Sequence, residues 1–188
     1  MHSRMDTRAG AISGAVRRQV YLSDLSGLFD DIARWRAMVT EHDVLIYEVY
    51  FKEPEQPECA QLAYGTTILY PIKVGSEYAF TRGHRHARLD RTEVYQVLQG
   101  TGCLLLRDAG GKIDTVALEP GVVAYIFGGL AHRVINSGPD PLVWFAVYPA
   151  DAGHDYDWVA QHGFGQRLVE INGRPEWVEY DGSHYARG

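Results

Sequence analysis

The chain has 188 residues, 46% of them hydrophobic and 22% charged, with a formal net charge of −6. That length suits one domain with a sizeable core, and the composition is that of a soluble globular protein. The negative balance and the lack of any basic tract argue against a nucleic-acid partner. The lack of a long apolar run argues against a membrane span.

The N-terminus, Met1-His2-Ser3-Arg4, has no apolar stretch of the kind that directs secretion, so a cytoplasmic setting is expected. Cys59 and Cys103 lack C-x-x-C spacing. They read as two free thiols in a reducing compartment.

Residues 1–20 show little periodicity, and either an arm or an edge strand is compatible with them. Ser23-Asp24-Leu25-Ser26-Gly27 reads as a turn with good helix caps. Leu28, Phe29, Ile32, Trp35, Met38 and Val39 then recur at helical steps, which predicts an amphipathic helix packed outside the body of the fold. Val44–Phe51, rich in β-branched and aromatic residues, predicts a strand. Pro54 and Pro57 mark a loop, and Thr66–Tyr70 a second strand that Pro71 stops.

Tyr78–Thr81 leads extended chain into Gly83-His84-Arg85-His86. Beyond it, Val94–Leu98, Cys103–Arg107, Ile113–Leu118, Val122–Ile126, His132–Ile135 and Leu142–Tyr148 continue as short strands with turns between them, Gly110-Gly111 closing a hairpin. Asp157–His162 predicts a short helix, Arg167–Ile171 a strand, Asn172-Gly173 a turn, and residues 181–188 a frayed end. Short strands at regular spacing without βαβ alternation predict an all-β sandwich or barrel.

His84 and His86, two apart in extended chain, point to the same side. Glu93 opens the next strand and would approach them if the two segments formed a hairpin. His132 supplies a third imidazole. Three imidazoles and one carboxylate suit Fe, Mn, Ni, Co or Zn, with positions left open around an octahedral ion.

The spacings, His84-x-His86-x6-Glu93-x6-Gly100 and Gly121-x5-Phe127-x-Gly129-x2-His132-x3-Asn136, resemble the two motifs of the cupins, with Phe127 where a proline is usual. The resemblance implies a single cupin barrel, a double-stranded β-helix or jelly roll. Its core would span about residues 44–150, preceded by an arm and short helix (1–43) and followed by a mixed C-terminal extension (151–188).

Three strings narrow the resemblance. Tyr47-Glu48-Val49-Tyr50, Thr81-x-Gly83-His84-x-His86-Ala87-x-Leu89-Asp90-Arg91, and Tyr148-Pro149-Ala150-Asp151-Ala152-Gly153-His154-Asp155-Tyr156 resemble the cupin-type glucose-6-phosphate isomerases. The likeness runs from about Arg18 to Glu170. It implies one divalent ion per chain, of the iron or manganese class, on His84, His86, Glu93 and His132.

The same likeness implies a sugar-phosphate pocket formed by Tyr47, Thr67, Thr81, Gly83, Tyr95, Tyr148, His154 and Tyr156. In it the phosphate rests on hydroxyls and amides rather than on a basic cluster, and the chain forms a homodimer. For the chemistry, Glu93 is the expected base of a proton route, with Tyr95 and His154 moving protons or helping to open the ring. A hydride shift that needs no base is the alternative, and the sequence does not choose between them. Arg85, Arg88 and Arg91 read as solvated loop charges, and the glycines of Phe127-Gly128-Gly129-Leu130 as a widening beside the metal. An iron cupin dioxygenase, a non-catalytic sugar-binding cupin and a metal-independent epimerase are the rival readings.

Overall fold

A six-stranded antiparallel sheet carries most of the site, and its edge is the N-terminal segment that the sequence left undecided. In the computed structural model, which describes residues 2–55 and 61–180, that edge is β1 (Val16–Tyr21). A 3₁₀ turn (Leu22–Leu25), α1 (Ile32–Glu41), β2 (Leu45–Lys52) and β3 (Leu62–Leu69) follow. Next come β4 (Lys73–Val74), β5 (Glu77–Tyr78), β6 (Glu93–Gln99), β7 (Gly102–Arg107), β8 (Ile113–Leu118) and β9 (Val123–Ile126). The chain ends with β10 (Ala131–Asn136), β11 (Leu142–Pro149), α2 (Tyr156–His162), β12 (Gln166–Ile171) and β13 (Arg174–Glu179).

The large sheet has the order β1-β2-β3-β11-β6-β9, a second β10-β7-β8, and a third β13-β12-β5-β4. All pairings are antiparallel, and one cluster of buried side chains, with Leu69, Leu104 and Leu168 from the three sheets, joins them. This is the all-β jelly roll expected from the sequence. Asn136 closes the end of β10: its Nδ2 donates to the carbonyls of Leu69 and Asp140 at 2.8 and 2.9 Å.

The residues before β1 act as an arm as well. Met5 bridges Ile12, and the Thr66 hydroxyl donates to the Gly10 carbonyl, which lays the arm across β3. No helix of the described residues is long and apolar enough to cross a membrane. Cys59 and the segment 181–188 lie outside the described residues.

The first helix differs from expectation. Leu22 and Leu25 are buried in the 3₁₀ turn, and Phe29, before α1, stacks on Phe80 with ring centroids 4.5 Å apart. The helix starts only after Asp31, whose carboxylate accepts the Arg34 amide at 2.8 Å. Burying Phe29 in the core outweighs extending the helical stripe back to Leu28.

Candidate metal centre and active site

His84 and His132 face each other across two backbone hydrogen bonds: His132 N–H donates to the His84 carbonyl at 2.8 Å and His84 N–H to the His132 carbonyl at 3.2 Å. Cross-strand neighbours of this kind hold their side chains side by side, and the two rings lie 4.3 Å apart. His86 follows two residues on, 5.6 Å from His132. Glu93 arrives from the large sheet, at the start of β6 between β11 and β9. The expected hairpin with the histidine segment does not form, because both edges of β6 are already paired.

The donor atoms of His84, His86, Glu93 and His132 all lie within 4.8 Å of one another. Oε2 of Glu93 is 3.2 Å from His132 Nε2 and 3.5 Å from His86 Nε2. Even so, Glu93 Oε2, His132 Nε2 and His84 Nε2 are buried without a hydrogen-bond partner. On the far side of two rings, His86 Nδ1–H donates to the Arg91 carbonyl at 3.0 Å and His132 Nδ1–H to the Leu130 carbonyl at 3.2 Å. Those carbonyls can only accept, so Nε2 of each ring keeps its lone pair for the centre of the cluster.

Electrostatics agree for His84 and Glu93, whereas at His86 burial is outweighed by Glu93 and the Arg91 carbonyl, which raise that imidazole above its ordinary value. Desolvation, then the imidazoles of His132, His154 and His86, hold His84 well below the usual histidine range, so it stays neutral. Burial would raise the Glu93 carboxyl, but His132 and His86 bring it below its ordinary value, so it stays charged. Unpaired lone pairs converging beside one buried carboxylate suit a divalent cation, and the residues fit the ion that the motifs imply.

A cavity of about 720 Å³ opens over this cluster, and His84, Glu93 and His132 reach its wall. Tyr47, Thr67, Thr81 and Gly83 line it, as do Tyr95, Tyr148, His154 and Tyr156. The structure therefore brings every residue of the anticipated pocket together. His154 lies 4.3 Å from the His84 ring and stacks on Tyr156, with centroids 5.6 Å apart and planes at 7°.

Burial drives the Tyr95 phenol well above its normal pKa, and Glu93 adds to the shift. Burial and Glu93 push Tyr148 up to about 12. Both therefore remain protonated donors at neutral pH. His154 opens onto the cavity, yet partial desolvation still lowers its pKa against the pull of Glu93. The Thr81 hydroxyl accepts the Val134 amide at 3.1 Å and keeps its own proton to give. Gly83 has φ 76°, and a Cβ there would lie 2.7 Å from Phe164, so only glycine fits.

Two expectations are corrected. Arg85 and Arg91 are not solvated loop charges. Arg91 donates to both oxygens of Asp151 at 2.8 Å, and Arg85 is bound to Asp155. Arg88 is half-exposed but also reaches Asp151, at 2.9 Å. Nor do the glycines widen the pocket: residues 127–130 are absent from its wall. A Cβ on Gly128 would strike the Leu89 carbonyl, so this glycine makes room for the adjoining loop.

The sequence reading missed Trp144, Arg18, Arg82 and Glu53 on the wall. Trp144 pairs in register with Thr67, a relationship visible only once the strand order is known.

The family model described as Glucose-6-phosphate isomerase (GPI) matches residues 19–185. The glucose-6-phosphate isomerase of Pyrococcus furiosus is 44% identical over 176 residues, covering 94% of this chain and 93% of that one. That of Thermococcus litoralis is 43% identical over 180 residues, 93% of this chain and 94% of that one. The putative glucose-6-phosphate isomerase 1 of Rhizobium meliloti is 38% identical over 184 residues, 97% of this chain and 86% of that one. Matches of this extent, over a jelly roll that gathers the cupin donor residues at one cavity, make the chain a member of the glucose-6-phosphate isomerase family.

Proposed function

We propose that the chain interconverts glucose 6-phosphate and fructose 6-phosphate with one divalent ion, iron or manganese, held by His84, His86, Glu93 and His132. One observation carries this reading: unpaired buried donor atoms converge directly beneath a cavity whose wall bears phenols, hydroxyls and a neutral imidazole. The ion supplies Lewis acidity, polarising a carbonyl oxygen and stabilising negative charge as it develops there.

The chain's own residues do the rest. Glu93 takes the proton from one of the two reacting carbons and returns it to the other. Tyr95, protonated throughout, donates a hydrogen bond towards that carboxylate and the substrate oxygens. His154 carries a proton between O1 and O2. Tyr47, Thr67, Thr81, Tyr148, Tyr156 and the Gly83 amide bind the sugar phosphate through hydrogen bonds.

Fructose 6-phosphate turnover, followed by an NADP-linked coupled assay, tests this on chelator-stripped protein and again after Mn or Fe is returned. Activity that appears only with metal is expected. A folded, metal-loaded sample without turnover overturns the assignment.

We propose further that the chain forms a homodimer through β9. This strand is an open edge of the large sheet and exposes Val123 (63%) and Tyr125 (53%), with Phe127 (66%) just beyond it. The Tyr125 and Phe127 rings meet at 4.9 Å. A row of exposed apolar side chains along an open strand edge favours pairing with a second copy. A light-scattering mass of one chain would refute it.

A further inference from the structure

Two arginines line the cavity, and neither belongs to the residue set anticipated from the sequence. Arg18 and Arg82 are the arginines on its wall. Arg18 is exposed and makes no ion pair among the described residues, whereas its neighbour Arg17 is held by Glu48 at 2.6 Å. The register explains the difference. Arg18 pairs with Val49, and Val49 with Thr67, so the three form one cross-strand row on the cavity face. Arg17 pairs with Tyr50 and points to the other face of the sheet.

Within that row the residue beside Arg18 is apolar, and it offers the guanidinium no partner. Two strand spacings separate Arg18 from Thr67, about 10 Å between backbones, and a long arginine side chain spans much of that distance. The charge of Arg18 already acts on Tyr47 and His154.

Arg82 is fixed where Arg18 is free. Its carbonyl accepts from Arg133 Nη2 at 2.8 Å, its guanidinium donates to the Asp24 carbonyl, and it lies 6.0 Å from the Tyr156 ring. Its acceptor is neutral, and it makes no ion pair among the described residues. Asp24 also lines this wall, with its carboxylate accepting the Tyr21 amide at 2.9 Å. Glu53 lines the cavity too, and its charge acts on Tyr148.

We propose that Arg18 and Arg82 are the determinants that select a phosphorylated sugar. They draw the phosphate monoester dianion to the β1 end and so turn C1 and C2 towards the metal centre. This rests on the isomerase reading above and adds to it the source of charge recognition. Hydroxyls and amides orient a phosphate but leave its two negative charges uncompensated, whereas guanidinium groups supply charge and paired donors together. Arg18 reaches the phosphate as it enters, and Arg82 provides a fixed positive field.

The test uses the metal-loaded full chain, as wild type, Arg18→Gln, Arg18→Lys and Arg82→Gln. Two quantities are measured: steady-state kinetics with fructose 6-phosphate, and calorimetric binding of inorganic phosphate. Arg18→Gln should raise KM about tenfold, the loss of one charge-assisted hydrogen bond, with kcat within about twofold of wild type. Phosphate affinity should fall by a similar factor, Arg18→Lys should recover most of both, and Arg82→Gln should act in the same direction. The fall of kcat/KM with added salt should flatten in Arg18→Gln.

Unchanged KM and phosphate affinity in Arg18→Gln, beside an active wild type, overturn the proposal. A wild type that binds phosphate through Arg18 but turns over no fructose 6-phosphate overturns the isomerase reading instead, and leaves the anion site standing.

Discussion

Arg85 and Asp155 are joined twice: their backbones exchange hydrogen bonds at 2.8 and 3.4 Å, and Nε–H and Nη2–H of the guanidinium donate to Oδ2 of the carboxylate at 3.1 and 2.7 Å. The other carboxylate oxygen accepts the Trp158 amide at 3.0 Å and caps α2. Arg85 sits between His84 and His86, and Asp155 between His154 and Tyr156. One pair therefore ties the metal-binding segment to the proposed proton carrier and its stacking partner.

Asp155→Ala removes the cap and the ion pair together, and should cost about 1–3 kcal/mol of stability. It should also raise KM, because His154 and Tyr156 lose their anchor, while Asp155→Asn keeps part of the cap and falls between. The Trp158 amide, then Arg85, holds the Asp155 carboxyl below its ordinary pKa. For a depressed acid, the stabilisation is present above the unfolded value of about 3.9 and is lost as pH falls through the folded one. Melting curves of wild type and Asp155→Ala should accordingly differ at neutral pH and converge below about pH 4.

The carbonyl of Arg91 orients His86 while its guanidinium grips Asp151. Arg91→Ala keeps that carbonyl but releases the segment from Asp151, and should therefore weaken metal binding by up to about tenfold, less than outright loss of an outer partner does elsewhere. His86→Ala or Glu93→Gln should abolish stoichiometric metal and activity together. Metal content by atomic emission, read beside the melting temperature, checks both. Chelation should lower the melting temperature of wild type and leave that of His86→Ala unmoved.

Tyr95→Phe tests the phenol separately. The ring packs 5.7 Å from Trp144 and 6.1 Å from His132, and those contacts survive the substitution. Metal content and KM should stay near wild type, with kcat lower by at least about a hundredfold if the hydroxyl moves or shares a proton in the rate-limiting step. Because burial keeps the phenol protonated far above neutral pH, it should contribute no limb to the pH profile between about pH 6 and 9.

Much of the centre was legible because its signals are local. His84 and His86 share a side through the period-two geometry of extended chain, and the spacing to Glu93 and His132 completed a known pattern. What was not legible depends on partners distant in sequence. Arg85 faces away from the histidines on either side of it, and nothing nearby shows that Asp155 waits there.

Glu93 reached the cluster by a different route from the anticipated hairpin, since the pairing of β6 with β11 and β9 is non-local. The helix begins late because Phe29 has a ring to meet in Phe80, and Arg17 and Arg18 form one basic pair in the sequence that only register separates onto the two faces of β1.

The route of the migrating hydrogen can be decided with glucose 6-phosphate deuterated at C2. Glu93 and His154 both line the cavity as groups able to take a proton. A proton held on a carboxylate beside an accessible cavity exchanges with water during turnover, so label should wash out progressively into solvent. Product analysed by mass spectrometry at low conversion gives the ratio of retained to exchanged label. Complete retention at C1 would mean a direct C2-to-C1 transfer, in which Glu93 only holds the ion and His154 only exchanges protons at the oxygens.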